Sequence, residues 1–164
     1  MRHACIPALL AVLLAGSAMY AKGPTTRVVV SGGQMKRPVE LHDRELLAPF
    51  TVWAGRGTRV NGIEATEGFI VDWSGGPVKR KKGLPQFEIA FYANDGRSTE
   101  DQLAYVVLYA LDAETGQDYV YLPGRGEPHY AANVRSIYRG SNYEGHWWRA
   151  TPAWQDVMRR YVRG

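Results

Sequence analysis

Leu103-Ala104-Tyr105-Val106-Val107-Leu108-Tyr109-Ala110-Leu111 is apolar at every second position, whichever parity is chosen. Leu103, Tyr105, Val107, Tyr109 and Leu111 share one side of an extended chain, and Ala104, Val106, Leu108 and Ala110 share the other. A strand apolar on both sides belongs in the middle of a sheet with both faces covered. Asp112-Ala113-Glu114-Thr115-Gly116 follows with turn chemistry: Asp112 can accept from nearby backbone N–H groups, and Gly116 can take positive φ. Asp118-Tyr119-Val120-Tyr121-Leu122 then reads as the antiparallel return. The centre of the chain is a β-hairpin.

Upstream, Phe87, Ile89 and Phe91 alternate with Glu88, Ala90 and Tyr92, giving a strand with one strongly apolar face. Thr26-Arg27-Val28-Val29-Val30-Ser31 is β-branched and stops at Gly32-Gly33, and Pro38-Val39-Glu40-Leu41-His42 is a short partner for it. Asp43 can cap a helical turn through Arg44-Glu45-Leu46-Leu47 that Pro49 ends. Residues 55–68 are glycine-broken and mostly polar, so they read as a loop, and Gly68 to Trp73 as a further strand.

Downstream, Thr151 is placed to cap and Pro152 to occupy the first helical position. Trp154, Val157, Met158, Tyr161 and Val162 recur at helical spacing, with Gln155, Asp156, Arg159, Arg160 and Arg163 on the other face. Between hairpin and helix, Val134–Tyr138 and His146–Arg149 flank a glycine-bounded loop, Gly140 to Gly145, and read as a second hairpin. A helix from Tyr130 through Tyr138 fits the spacing of Tyr130, Val134, Ile137 and Tyr138 nearly as well. The expected fold is α+β: an antiparallel sheet of about five to seven strands with a C-terminal amphipathic helix packed on one face.

The first residues have another logic. Arg2 precedes the apolar run Ala8 to Ala15, and the small residues Gly16, Ser17, Ala18 and Ala21 follow it. This is the pattern of a secretory signal peptide, with an apolar core shorter than a bilayer span needs. The expectation is a leader at 1–21 and a single domain at 22–164, secreted or periplasmic, with no transmembrane segment after cleavage. Cys5, the only cysteine, lies in that leader. The remaining domain therefore has no disulfide, thiolate nucleophile or thiolate metal site to draw on, and its stability must come from its core.

Charge is modest. The formal net charge is +4, from 20 Lys and Arg against 16 Asp and Glu, and losing Arg2 leaves 19 against the same 16. That balance suits solubility and gives no reason to expect nucleic acid as a partner. Two places concentrate it: the run Lys79-Arg80-Lys81-Lys82, and the tail from Arg135 onward, which holds six arginines against Glu144 and Asp156. The basic run is an electrostatic candidate for an acidic surface.

Catalytic patterns are thin. Ser31, Ser74 and Ser141 sit beside glycine, but none has the Gly-x-Ser-x-Gly frame of a nucleophile elbow. His42, His129 and His146 are isolated in sequence, without metal-site spacing. Glu40, Asp72, Glu88 and Asp118 lie at strand ends or on strands, where a glycosidase pair would need a cleft between them. No metal and no cofactor are expected. Gly124-Arg125-Gly126 could turn N–H groups and a guanidinium toward an anion, although a strand exit is its ordinary use. Tyr143, His146, Trp147 and Trp148 form the densest aromatic cluster, and adjacent tryptophans on a strand face opposite ways. One belongs to the core and the other to the surface, where it can stack on a sugar ring or anchor a protein.

Tyr119–Gly124, Ile137-Tyr138-Arg139-Gly140, Gly145-His146-Trp147 and Trp154, with Phe50–Gly55 and Phe69–Trp73, resemble an uncharacterised family of small exported bacterial proteins. The resemblance spans most of the domain and implies a single exported unit. It carries no activity or catalytic residue.

The expected function is non-catalytic binding at the cell envelope through an aromatic surface (Tyr143, His146, Trp147, Trp148, with Arg125) and the basic loop Lys79 to Lys82. The partner would be an envelope polysaccharide, an anionic lipid head group or a protein. Two alternatives are a small hydrolase of an envelope polymer, using His146 and a strand-end carboxylate, and a structural subunit that self-associates.

Overall fold

A computed structural model describes residues 25–43, 47, 59–60, 63–64, 70–94, 96–136 and 143–162. The leader, and most of the turn expected after Asp43, lie outside the described residues. Among the described residues, nine strands run in chain order: β1 (Thr25–Gly32), β2 (Val39–Leu41), β3 (Arg59–Val60), β4 (Ile63–Glu64), β5 (Val71–Asp72), β6 (Gln86–Ala93), β7 (Gln102–Ala110), β8 (Tyr119–Leu122) and β9 (His146–Ala150). The helices α1 (Tyr130–Ser136) and α2 (Pro152–Val162) precede and follow β9.

Seven of the strands form one antiparallel sheet in the order β2-β1-β6-β7-β8-β9-β5. The doubly apolar strand β7 is the middle one. Its residues from Ala104 to Leu111 are buried except for the half-buried Leu108, while Leu103 at the strand start is 36% exposed. Cross-strand pairs carry the core outward from it: Val30–Ile89–Val107, Val28–Phe91–Tyr105 and Phe87–Tyr109–Val120–Trp148. All of these side chains are buried, and Phe91 stacks on Tyr105 at 4.3 Å between ring centroids. The β7–β8 hairpin closes as its sequence requires: Asp112 accepts from the N–H groups of Glu114 and Thr115 at 3.1 Å, and Gly116 has a φ of 76°.

Two expectations are corrected. The segment from Tyr130 to Ser136 is helical, so no hairpin pairs it with β9. Instead β9 lies between β8 and β5, in register Val120↔Trp148 and Val71↔Ala150. A specific contact accompanies the helix. Continuing the β7–β8 register would bring Pro123 opposite Val106, and proline has no N–H to extend the ladder. The Asn133 carboxamide supplies what Pro123 lacks, accepting from the Val106 N–H at 2.8 Å and donating to its carbonyl at 2.5 Å. Asn133 lies on α1, and through it the buried backbone groups of Val106 are satisfied. The second correction concerns residues 55–68. The described part is a small antiparallel pair, Arg59↔Glu64 and Val60↔Ile63, on either side of the turn-favouring dipeptide Asn61-Gly62.

Helix α2 begins as expected, with the Trp154 N–H donating to Thr151 Oγ1 at 3.4 Å. Trp154, Val157, Met158 and Val162 are buried, and Trp154 lies 5.7 Å from Phe91 between ring centroids. Its polar side reaches the hairpin. Arg159 donates through Nε to Asp118 Oδ2 at 2.7 Å and through Nη2 to Oδ1 at 3.0 Å and to the Gly116 carbonyl at 2.6 Å. The same carboxylate accepts from the Tyr109 hydroxyl at 2.5 Å and the Asp112 N–H at 2.9 Å. Asp118 is fully buried. Burial, and next the hydrogen bond to Asp118, push the Tyr109 phenol up, and the Asp118 hydrogen bond holds the Arg159 guanidinium charged above its usual range.

Candidate functional site

Register alone places a row of residues on the sheet face away from Trp148: Ser31, Glu88, Leu108, Tyr121 and Trp147. At its far end the Val78 N–H donates to the Trp147 carbonyl at 2.8 Å, so the chain leaving β5 returns beside β9. That bridge brings the basic run onto the aromatic pair. Arg80 lays its guanidinium over the Trp147 ring at 4.2 Å, and Tyr121 lies 5.0 Å away from that ring by centroid. A shallow cleft of about 450 Å³ opens between the two segments. Val78, Lys79, Arg80 and Lys82 form one wall and Gly145, His146 and Trp147 the other.

The cleft is electropositive. Lys79, Arg80 and Lys82 line it, and no carboxylate does. Arg80 donates through Nη1 to the Lys81 carbonyl at 2.9 Å, and its Nε is buried without a hydrogen-bond partner. Lys81 belongs elsewhere. It is ion-paired with Glu114 in the β7–β8 turn, whose hydrogen bond raises its pKa.

The expected aromatic surface divides along the strand pleat. Trp148 is 2% exposed and joins Trp73 and Tyr143 in the core, with ring centroids 4.7 Å from Trp73 and 5.4 Å from Tyr143. Its indole N–H donates to the Tyr143 carbonyl at 3.3 Å. Trp148 therefore leaves the set of surface candidates, Tyr143 is half-buried against the core, and Trp147 is the partly exposed ring. Arg125 is exposed on the turn after β8 and does not line the cleft. That turn still touches the cleft wall: a Cβ on Gly124 would come within 2.9 Å of the Gly145 Cα, so glycine permits the close approach.

One feature of the site was not read from the sequence. Glu127 clamps the Gly124 turn, accepting from the Gly124 N–H at 2.7 Å and from the Tyr121 hydroxyl at 2.8 Å. A chain of contacts thus runs from Arg80 through Trp147 and Tyr121 to Glu127. The only sequence signal was the alternation that places Tyr121 opposite Trp147 once β8 and β9 are known to pair. Burial and then the Glu127 hydrogen bond push the Tyr121 phenol up to about 12. Because the unfolded phenol titrates near 10, the folded state binds an extra proton between roughly pH 10 and 12. Its contribution to stability is complete below about pH 10 and is lost as pH rises through the folded value. Carbon-13 NMR of labelled tyrosine should show Tyr121 still protonated at a pH of about 11, with Glu127→Gln moving its midpoint part of the way down. A midpoint near 10 in the native protein would overturn this reading.

Histidine–carboxylate pairs occur away from the cleft. His129 Nε2 is 3.2 Å from Glu88 Oε2, and His42 Nε2 is 3.1 Å from Glu40 Oε2. His129 has a φ of 67°, at the turn into α1. No group of three or more His, Cys, Asp or Glu able to hold a metal ion occurs among the described residues. No helix among them is long and apolar enough to cross a membrane. Comparison of the chain with protein-family models, with curated proteins and with solved structures finds no match.

Proposed function

We propose that this protein is a non-catalytic binding module of the cell envelope, exported by its leader, that holds an anionic envelope component in the cleft beside Trp147. One observation carries the reading. Lys79, Arg80 and Lys82, remote in sequence from Trp147, line one cleft with it, Arg80 lying over its ring, and no carboxylate is among the lining residues. A guanidinium resting on an indole is held in place with its charge intact, and with Nη1 given to the Lys81 carbonyl it is the Arg80 Nη2 group that would meet an anion. The apolar stripe of α2, in this reading, docks across the opposite face of the sheet and leaves the Trp147 face to the ligand.

The alternatives have less support. The hydrolase reading needs a carboxylate near His146, and the cleft lining holds none. Self-association through an apolar patch has only Leu103 as a large exposed apolar side chain among the described residues.

The test is retention of the purified protein on envelope fractions across a salt series. Retention should fall as salt rises, because added ions screen the attraction between exposed charges and an anionic partner. Lys79→Gln with Lys82→Gln should weaken retention about tenfold, since exposed ionic contacts contribute up to about 1 kcal/mol each. Trp147→Ala should weaken it by releasing Arg80, while Trp148→Phe should not. Salt-insensitive retention that survives both cleft variants would refute the proposal.

A further inference from the structure

A second concavity has a different chemistry. Between the turn joining β1 to β2 and the C-terminal end of α2 lies a groove of about 530 Å³. Its apolar lining comes from Met35, Val39, Phe87, Leu111, Tyr161 and Val162. Gly33 sits in that turn: a Cβ there would lie 2.3 Å from the Phe87 ring, and the φ of 58° is one that glycine tolerates. The turn can therefore close down on the Phe87 edge. The volume falls within the range of about 300–1,000 Å³ typical of small-molecule sites.

Charge at the groove is one-signed. Lys36 and Arg37 line it and are exposed, and no lining residue is acidic. Neither forms an ion pair with any described residue, whereas Arg27, Lys81 and Arg159 each do. An apolar trough with a cationic side fits one kind of occupant: a single alkyl or acyl chain carrying an anionic head. The chain would lie along Met35, Val39, Leu111 and Val162, and the head would meet Lys36 and Arg37.

We propose that this groove is a binding site for single-chain anionic amphiphiles, distinct from the Trp147 cleft and independent of its function. Two consequences follow. Each methylene withdrawn from water should tighten binding by up to about fourfold. Removing both cations should weaken binding of the charged ligand about tenfold and leave an uncharged one unaffected.

Octyl, decyl and dodecyl phosphate, each below its micellar concentration, would be titrated into the full chain by calorimetry and by ¹⁵N–¹H NMR. Dodecanol and inorganic phosphate would serve as controls. The expected result is saturable binding that strengthens with chain length, negligible binding of inorganic phosphate, and amide shifts clustered at Met35, Lys36, Arg37, Val39, Leu111 and Val162. Lys36→Gln with Arg37→Gln, both surface positions, should lose the preference for dodecyl phosphate over dodecanol. Val39→Ser should weaken both amphiphiles and keep that preference. Affinity independent of chain length, equal affinity for dodecanol in the native chain, shifts centred on Trp147, or no saturable binding would each overturn the proposal. Melting temperatures of both variants within a few degrees of the native protein would assign any loss to the groove.

Discussion

Replacing Asp118 by alanine is expected to destabilise the protein by about 3–5 kcal/mol, the usual cost of breaking a buried ion pair from one side. The carboxylate has no solvent contact and holds three partners at once: the Tyr109 hydroxyl, the Asp112 N–H and the Arg159 guanidinium. Removing it leaves a phenol and an N–H unpaired in the interior, and Arg159 without its counter-charge. Against a total stability of roughly 5–15 kcal/mol, most of the native population is at stake. Urea denaturation of the native chain, Asp118→Ala, Arg159→Met and the double variant measures it. The double variant should lose less than the two single losses added together, because each single change strands the other's charge. A loss below about 1 kcal/mol for Asp118→Ala would mean that the site is solvated and the pair ordinary.

Trp154→Ala should cost a comparable amount, about 3–5 kcal/mol, by a different route. Trp154 is fully buried near the Phe91 ring, on the helix that follows β9. Its removal takes a large apolar surface out of the core and leaves a cavity that neighbours can only partly refill. The control is internal. Trp147→Ala, at a partly exposed position, should change stability by about 1 kcal/mol or less while affecting ligand retention. Thermal unfolding followed by circular dichroism separates the two tryptophans. Equal losses at Trp147 and Trp154 would overturn the assignment of one to the surface and the other to the core.

The adjacent pair Trp147-Trp148 shows how far residue patterns reach. Alternation requires opposite directions, and the structure has them opposite. Which of the two faces inward depends on the strands that flank β9. With Val120 opposite Trp148 and Ala150 opposite Val71, the parity of the inner face is inherited from β8 and β5. Within residues 146–150 the signal is slight: the charged Arg149 shares the Trp147 side and Ala150 the Trp148 side. The misread hairpin has a similar origin. Val134, Ile137 and Tyr138 fit both periods, and what the spacing does not carry is the Asn133 carboxamide on Val106, at the place where β8 has ended before Pro123.

The strands of the large sheet, the central hairpin, the capped start of the last helix and the basic and aromatic clusters were legible residue by residue. Each rests on local chemistry: a period of two, an aspartate before a glycine, a threonine before a proline. The Asp118 node, the meeting of Lys79–Lys82 with Trp147 and the groove beside Lys36 needed the assembled chain. Those features depend on which strand edges remain available to pair, and that choice is made by core burial summed over the whole sheet rather than by any segment's own preference.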